Sequence, residues 1–211
     1  MNIPIKALLW GVALAALAFE GASACQGKRM VYQDRFNSFD AAWGDDDNAS
    51  VSGGHLVLQV PPGKDGFADH LMNQSKTYGD IDECITVQFT HASDLDGASA
   101  GLVFWGTDDT HYYMLVINPT GQFIVLRKVA PYKNLVPIEW TASSALRQGL
   151  NVPNEIEVIT RGTNATLLLN GVQVDALDGD PPTGGSRIGV YWAVQSDRTT
   201  VTEFSNLRVM K

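Results

Sequence analysis

In "EIEVITRGTNATLLLNGVQVD", Glu155 to Asp175, three short runs rich in Ile, Val and Leu are separated by turns only two residues long. Asn170-Gly171 suits a two-residue hairpin turn, because both of its central positions need positive φ and Asn and Gly tolerate that best. The turn sets Leu169 opposite Val172 and Leu167 opposite Val174. The preceding "RGTN" turn sets Thr160 opposite Ala165, Val158 opposite Leu167 and Ile156 opposite Leu169. Two independent turns therefore send the same residues to one side. Ile156, Val158, Leu167, Leu169, Val172 and Val174 form an apolar face, and Glu155, Glu157, Gln173 and Asp175 form a polar one. A three-strand antiparallel meander is expected.

The rest of the chain repeats this texture. "HLVLQV", "CITVQFT", "GLVFWG", "YYMLVI", "QFIVLRKV" and "RIGVYWAV" are separated by Gly, Pro, Asn and Asp, and no helical periodicity longer than a turn or two around Ala145 to Leu150 interrupts them. Many short strands at this spacing predict an all-β fold, an antiparallel β-sandwich or jelly roll. "NPTG", Asn118 to Gly121, has proline where a type I turn prefers it. Read as a two-residue connection, it aligns Val116 with Phe123, Met114 with Val125 and Tyr112 with Arg127, leaving Tyr113, Leu115, Ile124 and Leu126 on the opposite face.

The N-terminus reads as a targeting segment. "MNIPIKALLWGVALAALAFEGASA" has Lys6, an apolar run from Ala7 to Phe19, and small residues at Ala22 and Ala24, the pattern of a cleaved signal peptide over residues 1–24. One jelly-roll domain over 25–211 then remains, exported to the periplasm or secreted. Its formal net charge of −8 argues against nucleic acid and anionic membranes as partners, and a monomer is expected. Two cysteines in an exported chain, Cys25 and Cys84, predict one disulfide. The alternative is a lipoprotein acylated at Cys25.

The order "FNSFDAAW", "VSGGHLVL", "AGLVFWGTDDTHYYMLVI", "ATLLLNGVQV", "GSRIGVYW" and "EFSNLRV" resembles the concanavalin A-like, laminin G-like jelly rolls, most closely the bacterial 3-keto-disaccharide hydrolase domain family. The resemblance covers Val31 to Val209 and implies the fold strongly and the function weakly. It implies carbohydrate binding or hydrolysis, with an envelope protein-interaction role as a third class.

Catalytic signatures are sparse. A retaining glycosidase of the related family 16 needs carboxyls about 5 Å apart at alternate positions of one strand. The nearest approach is "GDIDEC", where Asp80 and Asp82 share a face, Glu83 points away, and Cys84 replaces the third acid; these acids read as a solvated strand entry. His55, His70, His91 and His111 lack ligand spacing. Asp45, Asp46 and Asp47, or Asp178 and Asp180, could hold Ca²⁺ only if six or more oxygens converged on it, so neither a metal nor another cofactor is assigned.

Aromatics with polar partners remain: Trp105, Tyr112, Trp140 and Trp192, with Arg127. A sugar has an apolar C–H face ringed by hydroxyls, so its site needs a flat ring and a few fixed donors and acceptors. The candidate ligand-binding residues are Trp105, Asp108, Asp109, His111, Tyr112 and Arg127, with Tyr112 and Arg127 side by side on the less apolar face. The expected activity is glycan binding without catalysis, with a sugar hydrolase as the alternative.

Overall fold

A computed structural model describes residues 25–60, 65–197 and 199–211; the predicted signal segment lies outside the described residues. Fourteen strands run through them: β1 (Met30–Asp34), β2 (Ala49–Ser52), β3 (His55–Val60), β4 (Asp65–Met72), β5 (Asp82–Ala92), β6 (Ala98–Asp108), β7 (His111–Ile117), β8 (Gln122–Ala130), β9 (Lys133–Ala142), β10 (Asn154–Arg161), β11 (Asn164–Leu169), β12 (Val172–Asp178), β13 (Arg187–Asp197) and β14 (Thr200–Met210). They form two antiparallel sheets. One has the order β12-β11-β10-β5-β14-β3-β2, with β1 also paired to β14; the other has the order β4-β13-β6-β7-β8-β9. The one helical element among the described residues is a 3₁₀ turn at Ala41–Trp43, whose first turn is capped by the Asp40 carboxylate accepting from Ala42 N. Residues 143–150 form turns, not a helix.

Period-2 patterning builds the core between the sheets. In β3, Leu56, Leu58 and Val60 are fully buried while their neighbours stand outward. Phe89, Phe104, Phe123, Trp192 and Phe204 meet Ile156, Val158, Leu167 and Leu169 in the same cluster. Burying each such side chain contributes roughly 1.5–3 kcal/mol.

The meander forms with one shift. Ile156 pairs with Leu169, Val158 with Leu167 and Thr160 with Ala165, and Asn170 and Gly171 both have positive φ. Beyond the turn, Leu169 pairs with Val172, but a bulge between Leu167 and Leu168 sets Leu167 against Asp175 and not Val174. Val172 stands 54% exposed beside the turn, so it does not belong to the apolar face. Leu168 and Glu157, on the other side, are both buried.

The hairpin after β7 corrects the predicted register more fully. Asn118 N donates to Gln122 O at 3.0 Å, Gln122 N donates to the Asn118 side chain at 2.8 Å, and Gly121 takes φ +87°. The loop therefore holds three residues, a type I turn followed by a left-handed glycine. The extra residue moves every partner by one: Tyr113 pairs with Arg127, Tyr112 with Lys128, Met114 with Leu126 and Val116 with Ile124. Tyr112 and Arg127 thus lie on opposite faces of the sheet.

Cys25 and Cys84 form the expected disulfide. It joins residues 59 apart in sequence, which in the chain-entropy model contributes about 4 kcal/mol. Mass spectrometry of non-reduced peptides should find this bond and no free thiol, and alanine at both positions should lower stability by about that amount. An acylated Cys25 would refute the pairing.

Candidate functional site

The six-stranded sheet turns one face to the core and the other outward. Register places Ala68, His70 and Met72 of β4 beside Ala193, Tyr191 and Gly189 of β13, then Ser99, Gly101 and Val103 of β6, and finally Val116 and Met114 of β7 beside Ile124 and Leu126 of β8. Away from the β4 edge this outward face is mostly apolar, interrupted by Ser99 of β6 and by Lys128 of β8, the partner of Tyr112, and Val103, Tyr112, Met114, Val116 and Ile124 are buried in a cluster of their own. A groove of about 500 Å³ crosses it. Its floor is of small side chains, Gly66, Ala68, Ser99 and Ala193, and its sides are Tyr191, Val116, Ile124, Leu126 and Trp140. Gln195 adds an amide. Among the described residues no carboxylate lines it. Gly101 lies on the same face between Tyr191 and Val116, where a side chain would collide with the Leu115 carbonyl.

The face ends in a polar group. Tyr112, four residues and about 13 Å along β7 from Val116, stacks on His70 with ring centroids 4.5 Å apart, and its hydroxyl is 3.3 Å from His70 Nδ1. His70 Nε2 lies 3.5 Å from Asp109, and Nδ1 lies 3.7 Å from Asp69. Burial lowers the His70 pKa, against the pull of the two aspartates, and burial likewise holds the Tyr112 and Tyr191 phenols protonated, Tyr191 being pushed up to about 12. Asp109 is mostly exposed at the rim. Asp108 is engaged in building the β6–β7 turn: it accepts from Thr110 Oγ1 at 2.7 Å and Thr110 N at 2.8 Å, and lies 3.1 Å from His111 Nδ1. Those bonds, the Thr110 hydroxyl first, depress its pKa.

Trp105 and Arg127 lie elsewhere. Trp105 takes φ +48° at a β6 irregularity, so that both Phe104 and Trp105 turn into the core; Trp105 meets Tyr113 edge-on at 5.2 Å. Arg127 lies over the Tyr113 ring at 5.0 Å and pairs with Asp180 at 2.6 Å. Gly179 closes this corner, where a Cβ would come within 2.5 Å of Trp105. The six predicted residues therefore separate into an outward group, Asp108, Asp109, His111 and Tyr112, and a second group, Trp105 and Arg127, around Tyr113. Sequence reasoning missed His70 and Tyr191 as members of the outward face and weighed Trp140 without placing it there. Period-2 spacing in β4 and β13 carried that signal, but without knowledge of which strands are neighbours it could not be assembled.

The "GDIDEC" acids are not in this groove. Asp80 precedes β5 of the other sheet and is exposed, as read, but Asp82 and Glu83 open that strand and are both about 1% exposed, which corrects the solvated-entry reading for these two. Of the predicted calcium ligands, Asp46 accepts from Asn48 N at 2.6 Å and Asp180 pairs with Arg127. Among the described residues no three His, Cys, Asp or Glu side chains are grouped to hold a metal.

No family model matches the chain, and no curated protein matches it in sequence. Solved structures match its fold. The catalytic domain of an endo-1,3-β-glucanase (laminarinase) from Thermotoga petrophila aligns at TM-score 0.63 and 11% identity, over 86% of this chain and 96% of that one. The carbohydrate binding module CBM66 from Bacillus subtilis aligns at TM-score 0.56 and 14% identity, over 86% and 97%. The Bacillus licheniformis β-glucanase aligns at TM-score 0.56 and 12% identity, over 85% and 97%. At these identities the likeness establishes the concanavalin A-like jelly roll and nothing finer.

Proposed function

We propose that this is an exported, single-domain carbohydrate-binding protein whose ligand lies in the groove on the outward face of the six-stranded sheet and is not hydrolysed there. One observation carries the reading: the groove offers aromatic and small apolar surface at Trp140, Tyr191 and the Ala68–Ala193–Ser99 floor, with no carboxylate among its described lining residues. Stacking on the C–H face of a sugar needs such a surface, whereas glycoside hydrolysis needs two carboxyls about 5–10 Å apart across the bond. The neighbouring folds include both glucanases and a carbohydrate binding module, which supports a sugar as the ligand class.

His70, Tyr112 and Asp109 supply donors and acceptors at one end of the same face, with Asp69 beside His70 on the edge strand, and would orient hydroxyls. The disulfide fits an oxidising compartment, and no helix among the described residues is long and apolar enough to cross a membrane. We assign the protein to the periplasm or the medium.

A glycan array followed by product analysis tests the proposal. Binding without cleavage is expected. Trp140→Ala should weaken the best hit roughly ten- to a hundredfold, the value of one lost stacking partner at ~1–3 kcal/mol, with an unchanged melting temperature. His70→Ala should weaken the same ligand and alter which linkages bind. Turnover abolished by Asp109→Asn with binding intact would replace this reading by the hydrolase one, and normal binding by Trp140→Ala would move the site off the groove.

A further inference from the structure

The outer face of the eight-stranded sheet carries a second arrangement, independent of the groove. Residues 25–29 cross it as an irregular strap before β1 begins, buried at Cys25 and tied to the sheet at several points. The disulfide fixes Cys25 to Cys84, Gly27 N donates to Asp82 Oδ2 at 2.8 Å, Gln26 N donates to Glu157 Oε1 at 3.4 Å, and the Arg29 and Lys211 backbones exchange two hydrogen bonds. Gly27 lies so close to the sheet that a side chain there would collide with Met210. The strap is therefore held in place along its length, back to Cys25.

Under it lie two acids. Glu157 is the cross-strand partner of Cys84, and Asp82 is two residues from Cys84 along β5, on the same face. Both are about 1% exposed. Each receives a strap N–H on one oxygen, while the other oxygen, Asp82 Oδ1 or Glu157 Oε2, is buried with no donor. The cationic side chains of the packed elements are engaged elsewhere or turned to water. Arg208 pairs with Glu155 at 3.0 Å, Arg161 donates to the Ile81 and Thr160 carbonyls, and Lys28, Arg29 and Lys211 are exposed. A carboxylate in a dry site is costly unless a cation and further N–H donors meet it.

The chain has such a group within reach. Cys25 N precedes Gln26 N, which already donates to Glu157, by one residue, a span of at most about 3.6 Å. In peptide linkage that nitrogen is a neutral amide with a single N–H. As a free N-terminus it is an ammonium with three.

We propose that the Ala24–Cys25 peptide bond is the processing site, and that the α-ammonium freed at Cys25 is the counter-ion of Asp82 and Glu157. The proposal rests on the reading of residues 1–24 as an export signal. Water is the second reactant: hydrolysis by a signal peptidase leaves a carboxylate on Ala24 and the ammonium on Cys25. The ammonium donates to Glu157 Oε2 and Asp82 Oδ1, while the strap N–H groups keep the other two oxygens. The disulfide holds the new terminus against the acids. Burial raises the Glu157 pKa in the chain before cleavage, and the ammonium opposes that rise. Removal of the signal is then a stabilising step as well as a release.

Two measurements separate the cleavage from the ion pair. Mass spectrometry of the exported protein should find Cys25 as its first residue; a terminus elsewhere would overturn the processing site. The ion pair is tested without export, on oxidised chains released from a fusion so that they begin at Cys25 or at Gly21. In urea at pH 7 the chain beginning at Cys25 should have a folding equilibrium constant at least about tenfold larger, since only there does the charge meet the acids. The double variant Asp82→Asn, Glu157→Gln should lose that advantage. Glu157→Gln alone, which stands in should the double variant not fold, should reduce it, while Glu83→Gln, on the core side of β5, should leave it unchanged. Equal stability of the two wild-type chains would overturn the ion pair. So would an undiminished advantage in a folded variant lacking the acids, which would mark a steric effect of the four added residues.

Discussion

Leu167→Asp is expected to abolish the cooperative fold. Leu167 is fully buried in β11, paired across the sheet with Val158 of β10, and belongs to the main core between the sheets. Removing the leucine side chain alone costs about 2–5 kcal/mol, and an unpaired carboxylate in its place adds several more. That total is comparable to the whole stability of an ordinary domain, roughly 5–15 kcal/mol. Leu167→Ala should remain folded with a lowered melting temperature. Leu168→Asp should also destabilise, because Leu168 is 5% exposed and sits opposite the buried Glu157, but by less, since that side of the sheet borders solvent. Near-ultraviolet circular dichroism and urea titration of the three variants decide it. A native-like melt for Leu167→Asp, or equal damage from Leu168→Asp, would contradict this register.

Comparison of the two hairpins shows what the chain could disclose. Asn170-Gly171 specifies a two-residue turn by its own conformational needs and pairs Leu169 with Val172 as read, until a bulge shifts β12, while the Gly162-Thr163 turn pairs β10 with β11 in the register read from the sequence. "NPTG" is compatible with either a two- or a three-residue connection, and the choice rests on Gly121 adopting positive φ while the Asn118 side chain caps Gln122. One residue of difference exchanges the faces of Tyr112 and Arg127 relative to each other, and with them the predicted platform. Trp105 departs from alternation for a related reason: strict period-2 spacing assigns it outward, and its left-handed backbone in β6 turns it in. The outward groove was beyond local reasoning altogether. Tyr191 and Trp140 approach Val116 through the strand order β13-β6-β7-β8-β9, a long-range property. The disulfide was legible because two cysteines in a chain read as exported leave one pairing.

Burial of acids was the other feature that polarity concealed, and it gives the second large effect. Glu83 is 1% exposed on the core side of β5, and its Oε2 has no hydrogen-bond partner. Burial, assisted by the neighbouring Asp82 charge, raises its pKa well above the ordinary carboxylate value, and burial with the Asp82 interaction raises that of Glu157 to about 8. In the unfolded chain both ionise near the usual value of about 4.3. Between those limits the native state holds more protons than the unfolded state, so stability is greatest in acid and falls as pH rises, by up to about 1.4 kcal/mol per pH unit for each group. For Glu157 the decline should level off above about pH 8. Glu83→Met removes one of the two groups and fills a similar volume. It should stabilise the protein at every pH, by roughly 2 kcal/mol or more at pH 8 because a buried polar group without a partner is also removed, and it should reduce the slope by one proton's worth. Urea denaturation of wild type and variant from pH 5 to 9, with the disulfide intact, measures both quantities. A wild-type stability that rises across this range, or a Glu83→Met variant that loses stability at pH 8, would show that Glu83 is ionised and paired in the native state.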